Sequence, residues 1–137
     1  MLKLATDKKW TIILSAYQPT NTPLQNMLDT ERMFDSLEHR YHVHAIRAIG
    51  MYKNSLEYSF VVHTNSTNQM AEIRRLALNA YHQECVLVRH NRKHEIKLHH
   101  FNGENTLIGK NFHQSSGELK NVYNYTILNG TDFYTVS

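Results

Sequence analysis

Residues 76–88 read Leu-Ala-Leu-Asn-Ala-Tyr-His-Gln-Glu-Cys-Val-Leu-Val. The stretch begins as the end of an amphipathic helix, because Met70, Ile73, Leu76, Ala77, Ala80 and Tyr81 recur at helical spacing. It finishes as a strand, in the apolar run Cys85-Val86-Leu87-Val88. Neither Gly nor Pro separates the two, and Gln83 and Glu84 occupy the junction. A polar pair at a covered junction needs hydrogen-bond partners. Such junctions are also where a rigid scaffold presents side chains to a ligand. The plain reading is a solvated corner.

Working outward, residues 10–17 (Trp-Thr-Ile-Ile-Leu-Ser-Ala-Tyr) form a short β-branched run, expected as a central strand. Thr22-Pro23-Leu24-Gln25 starts a helix, with Thr22 as N-cap, Pro23 as first helical residue and Gln25 as return partner of a capping box. Its apolar face runs through Leu24, Met27, Leu28, Phe34 and Leu37 to about His39. Residues 43–49 are a second strand that Gly50 is expected to break, and 51–55 a loop carrying Tyr52. Residues 56–63 are the third strand, 65–68 a turn with several N-cap candidates, and 84–90 the fourth strand. Asn91-Arg92-Lys93 turns the chain into a partner strand at 94–101. Residues 103–120 read as loop, and 122–128 with 132–136 as a hairpin about Asn129-Gly130, a type I′ signature. No repeat is evident in the sequence.

The order β-α-β-β-α-β is the split βαβ, ferredoxin-like arrangement. The expectation is an α+β fold, an antiparallel sheet with two helices on one face, extended by the C-terminal hairpin. A length of 137 residues suits one domain, with its core at about 10–101 and the loop and hairpin at 102–137. Such a domain buries roughly two thirds of its unfolded surface. Apolar residues on both sides of the third and fourth strands call for cover on the second face, by the C-terminal strands or another subunit.

Cys85 is the only cysteine, so no intramolecular disulfide forms, which suits a reducing cytosol. It reads as a small buried hydrophobe. The N-terminal stretch lacks the apolar core of a signal peptide, and no run approaches the ~20 residues of a membrane span. Three glycosylation-like triplets are read as chance. A net charge of +3 permits anion binding, but the basic residues are dispersed. His42-x-His44 and His99-His100 lack a third ligand at a zinc-site spacing, so no metal is expected.

Three blocks resemble the phage-encoded S-adenosylmethionine hydrolases, since understood as lyases. The first is residues 12–17, an apolar strand ending Ser15-Ala16-Tyr17. The second is Gly50, Tyr52 and Glu57, and the third and most specific is residues 77–88. The resemblance implies a homotrimer with active sites between subunits and no cofactor. It implies no nucleic-acid or membrane partner, and a counter-defence (anti-restriction) role in the cytoplasm of the infected bacterial host. It implies Glu57 and Tyr52 as catalytic, with Gln83, Glu84 and the 15–17 segment (Ser15, Ala16, Tyr17) binding substrate. The products would be 5′-methylthioadenosine and L-homoserine lactone, formed by attack of the substrate's own carboxylate on Cγ.

Within that frame Glu57 would hold the cationic end of the substrate and Tyr52 would orient the methionine part. Glu84 would meet the ribose hydroxyls, with Gln83 orienting groups nearby. In this topology the first and third strands are expected to run parallel and the fourth against them, which puts Glu57 and Glu84 at opposite ends of the sheet. They would be on the order of 15–20 Å apart, and would meet only across a subunit interface. The alternatives are hydrolysis with Glu57 as general base, a catalytically dead structural trimer, and a nucleic-acid module using Tyr58 and Phe60 on the sheet.

Overall fold

The computed structural model describes residues 6–52, 55–115, 125–128 and 132–136. The first half follows the expected order: β1 (Trp10–Ser15), α1 (Pro23–Asp35), β2 (Ala45–Tyr52), β3 (Ser55–Thr64), α2 (Thr67–Arg75) and β4 (Cys85–His90). Then come β5 (Glu95–His100), β6 (Asn105–Gly109), β7 (Phe112–Ser115), β8 (Tyr125–Leu128) and β9 (Asp132–Val136). The protein is therefore α+β, with two helices and one antiparallel sheet among the described residues.

The sheet is larger than the sequence predicts. Its nine strands lie in the order β6-β5-β4-β1-β3-β2-β8-β9-β7. This differs from a four-stranded ferredoxin-like sheet with an appended hairpin. β6 and β7 occupy residues expected to be loop. β8 pairs with β9 as expected, and Asn129-Gly130, where a type I′ turn is expected, lies outside the described residues. Gly50 does not break β2, which runs through it to Tyr52 and pairs with β3 along its whole length. β1 and β3 are antiparallel, not parallel. The reason is topological: α1 carries the chain back so that β2 runs in the direction of β1, and the β2–β3 hairpin then reverses it.

Helix caps follow the local sequence. Thr22 Oγ1 accepts from Gln25 N at 3.1 Å, and Ser66 Oγ accepts from Gln69 N at 3.1 Å. The Gln25 side chain does not complete the capping box, since its Nε2 donates to Asp29 Oδ1.

The outer sheet face packs Ile12, Leu14, Phe60, Val62, Val86 and Val88 against Met33, Leu37, Met70 and Ile73 of the helical layer. Phe60 is buried, with the Phe34 ring 5.9 Å away. It offers no surface on which a base might stack, while Tyr58 is exposed. Arg74 of α2 donates to Nδ1 of the buried His99 at 2.9 Å. That ring must accept, and burial beside Arg74 holds its pKa down at about 4.

The inner face carries a second cluster, Ile46, Ala48, Val61 and Tyr134, with Ile13 and Phe112 against it. A flat sheet of this size would hold its edges roughly 38 Å apart, at about 4.8 Å per strand. Yet β6 and β7, the two edges, are joined by Lys110 and Asn111 alone. Three peptide steps span at most about 11 Å, so the sheet must roll until its edges meet. The C-terminal strands thereby cover the face left open by the helices. Arg89 clasps the joint, with Nε donating to Lys110 O (2.9 Å) and Nη2 to Asn111 Oδ1 (2.9 Å). Its Nη1 donates to Asn91 Oδ1 at 2.7 Å.

Both helices end alike. Each passes into a π-helical turn, Ser36–Arg40 or Leu76–Ala80. A Tyr follows, and then a His with positive φ (His42 and His82, both 53°). Gln69 Nε2 caps Tyr41 O at 2.7 Å, and Gln18 Nε2 caps Tyr81 O at 2.5 Å. No described helix is long and apolar enough to cross a membrane.

Arg89→Lys keeps the charge but loses the planar fork at the joint. A loss on the order of 2 kcal/mol is expected, read as a lower urea midpoint. An unchanged midpoint would show that the clasp contributes nothing.

Candidate active site

Glu57 is the third residue of β3 and lies on the inner face, in step with Ser59 and Val61. Gly50 is its partner across β2, and Ser15 faces Ser59 across β1. Two small residues, Gly50 and Ser59, thus lie beside Glu57. No described residue gives it a hydrogen bond or an ion pair. Burial pushes its pKa up to about 7, so it is poised between neutral and charged near physiological pH.

Ser15 ends β1 and is buried. Its Oγ donates to Tyr58 O at 2.6 Å and accepts from Tyr17 N at 3.0 Å. Ala16 is buried in the outer-face core. Tyr17 is half-buried, and its carbonyl accepts from Gln83 Nε2 at 2.8 Å. A hydrogen-bond relay therefore runs from Gln83 through Tyr17 and Ser15 to Tyr58, next to Glu57, within one chain.

Gln83 is buried at the position that Val43 fills after the first helix. Its backbone N–H donates to Ala77 O, as that of Val43 does to Leu37 O. The side-chain amide nitrogen is spent on Tyr17 O and, at 3.4 Å, Tyr81 O. Only Oε1 is left to meet a ligand. Glu84 is exposed just before β4, and its carbonyl accepts from Phe101 N at 3.0 Å. Tyr52 ends β2, paired with Ser55.

The expected separation of Glu57 and Glu84 is wrong. β3 and β4 are both antiparallel to β1, hence parallel to each other. Both residues lie at the same end of the sheet, across one intervening strand, about 10 Å apart at the backbone. Topology alone gives no reason to place them on different chains.

Sequence reasoning passed over three neighbours. Ser59 is two residues beyond Glu57, so strand alternation puts it on the same face. Gly50 was read as a breaker when it is a space-giver. Gln18 holds the 81–82 carbonyls, donating to Tyr81 O and to His82 O at 3.0 Å, and nothing in its local sequence marks it. Among the described residues no group of three or more His, Cys, Asp or Glu is placed to hold a metal ion.

The arrangement offers a partly buried carboxylate, unpaired among the described residues, with small residues beside it and backbone and amide groups at the same end. It suits capture of a cation whose neighbouring polar groups need orienting. No curated protein matches the sequence. The S-Adenosylmethionine lyase family does match, over residues 12–137. That span contains the strand bearing Glu57, the Ser15–Tyr17 segment and the Gln83–Glu84 junction, and the chain belongs to the S-adenosylmethionine lyase family.

Proposed function

We propose that the protein is an S-adenosylmethionine lyase, releasing 5′-methylthioadenosine and L-homoserine lactone. The observation that carries this is Glu57, a partly buried carboxylate with no cationic partner among the described residues. The substrate supplies the missing charge, as its sulfonium or α-ammonium. One carboxylate oxygen of the substrate forms a bond to Cγ as the Cγ–S bond breaks. The electron pair leaves on sulfur, giving a neutral thioether. No proton is transferred and no cofactor is consumed. The protein's task is to orient the chain for ring closure, worth roughly 7–11 kcal/mol at the extreme, and to keep water from the nucleophile.

In this reading Glu57 and Tyr52 act at the reacting end. Gln83 Oε1, Glu84 and the Ser15–Tyr17 backbone hold the rest of the substrate. Ala16 contributes by its backbone position, since its side chain is in the core. We take β4-β1-β3-β2 with the two helices as the ferredoxin-like portion of the sheet. A homotrimer completes the proposal. Exposed Leu24, Met27 and Leu28 on α1, with Leu56 and Tyr58 beside Glu57, are the apolar surface a neighbouring subunit would cover. The setting is the cytoplasm of a phage-infected bacterium, where loss of the methyl donor disarms restriction.

A second reading has a specific support: a carboxylate titrating near 7 also suits a general base that activates water. The two are separated in ¹⁸O-water. Direct attack of water on Cγ places the label in the homoserine hydroxyl. Lactone formation followed by ring opening places it in the carboxyl group. Lactone in the earliest samples is the expected result. Hydroxyl label without lactone would establish the hydrolase, and absence of 5′-methylthioadenosine would overturn both.

Glu57→Gln should abolish turnover. The pH dependence of stability provides an independent check. The folded pKa is raised from 4.5 to about 7, so this group's stabilising effect is full below 4.5 and is lost as pH rises through 7. Above that, ionised Glu57 costs on the order of 3 kcal/mol. The ligand-free wild type should therefore lose stability between pH 5 and 8, as read by urea midpoints at about those values. Glu57→Gln should lose much less over the same window. Parallel pH profiles for the two proteins would contradict the burial argument.

A further inference from the structure

We infer that Gly50 and Ser59 form a positioning pair that sets where the Glu57 carboxylate stands on the inner face. The inference rests on the reading above, in which Glu57 meets the substrate.

Gly50 lies inside β2, where a glycine costs up to about 1 kcal/mol relative to a side-chain-bearing residue. Its backbone does not require glycine: among the described glycines only Gly103 has positive φ. Space is the remaining reason. A Cβ on Gly50 would stand 3.0 Å from Ser59 Oγ and 3.9 Å from Glu57 Cγ. The first distance is too close for an ordinary carbon contact, and the second is normal packing. The serine hydroxyl thus leans into the volume a side chain at 50 would fill, and the Glu57 stem borders the same volume.

Ser59 is itself fixed. It is buried, faces Ala48 on one side and Ser15 on the other, and its Oγ donates to Glu57 O at 3.3 Å. Ser15 is held in turn by Tyr58 O and Tyr17 N. A group added at 50 has one way to relieve the contact, which is to push Ser59 Oγ. That hydroxyl sits against the strand segment carrying Glu57. Removing the hydroxyl opens the same space and lets the Glu57 side chain swing over Gly50. Gly50 and Ser59 act through Glu57 and are positioning residues, not catalytic ones.

The test uses Gly50→Ala, Ser59→Ala and the double variant Gly50→Ala/Ser59→Gly in the full chain. Two readouts are taken. The first is the titration midpoint of the Glu57 side-chain carboxyl in the ligand-free protein, by ¹³C NMR. The second is turnover of S-adenosylmethionine, with kcat and KM separated. Each single substitution is expected to move the midpoint by at least about half a unit. Each should lower kcat by at least about 10-fold, as misplacement of a catalytic group does, with KM changed less. The double variant removes the crowded hydroxyl and should bring both readouts back toward wild type. An unmoved midpoint in folded Gly50→Ala would overturn the inference, as would a folded double variant no better than Gly50→Ala. Should Gly50→Ala fail to fold, Ser59→Ala decides on the midpoint alone. If Glu57→Gln retains turnover, the role of Glu57 fails, while the midpoints still decide whether the pair positions its carboxylate.

Discussion

Between Gly109 and Phe112 the chain has two residues in which to pass from one edge of the sheet to the other. That short link is the constraint on which the remaining architecture depends. It forces nine strands to roll, and rolling turns one face of the sheet into an interior. Ile13, Ile46, Ala48 and Val61 then meet Phe112 and Tyr134 in place of solvent. Arg89 secures the joint by spending its guanidinium on Lys110 O and the Asn91 and Asn111 side chains. The helices close the opposite face, so the sheet is covered on both sides.

Glu57 inherits its chemistry from this enclosure. The same residue at an exposed strand end would be an ordinary carboxylate. On the inner face, beside Gly50 and Ser59 and with no cation near it among the described residues, its ionised form is disfavoured by burial. Under the proposed function, local instability and readiness to bind a cation would be one property seen from two sides, because a group that stabilises a bound state is poorly satisfied without ligand.

The two helix ends show how one local device is repeated with a different residue at its inward position. Tyr41 and Tyr81 each follow a π-helical turn, and each has its carbonyl capped by a glutamine from the other half of the domain. After the first helix the next inward position is Val43, a core residue. After the second it is Gln83, which uses its amide to hold the carbonyl of Tyr17, whose own N–H donates to Ser15 Oγ. One polar substitution at an equivalent junction thus connects the end of α2 to the strand end where Glu57 sits.

Much of this was legible in the sequence. Helical spacing of Met70, Ile73 and Leu76, the Thr22 cap and the β-branched runs determine the first four strands and both helices, because these depend on contacts within a few residues. The 77–88 motif marks the family. The rest is non-local. A loop-like composition at 103–120 concealed β6 and β7, since those strands exist by pairing with distant partners, β5 and β9. Strand direction was likewise beyond local pattern: the β2–β3 hairpin, not any motif, brings Glu57 and Glu84 to one end of the sheet. Gly50 reads as a breaker in one dimension and becomes a packing necessity only when Ser59 is folded against it. The sequence by itself determined the segments, their caps and the family. Tertiary structure alone decided the roll of the sheet, and with it the burial that shifts Glu57, because solvent exclusion depends on residues far apart in the chain.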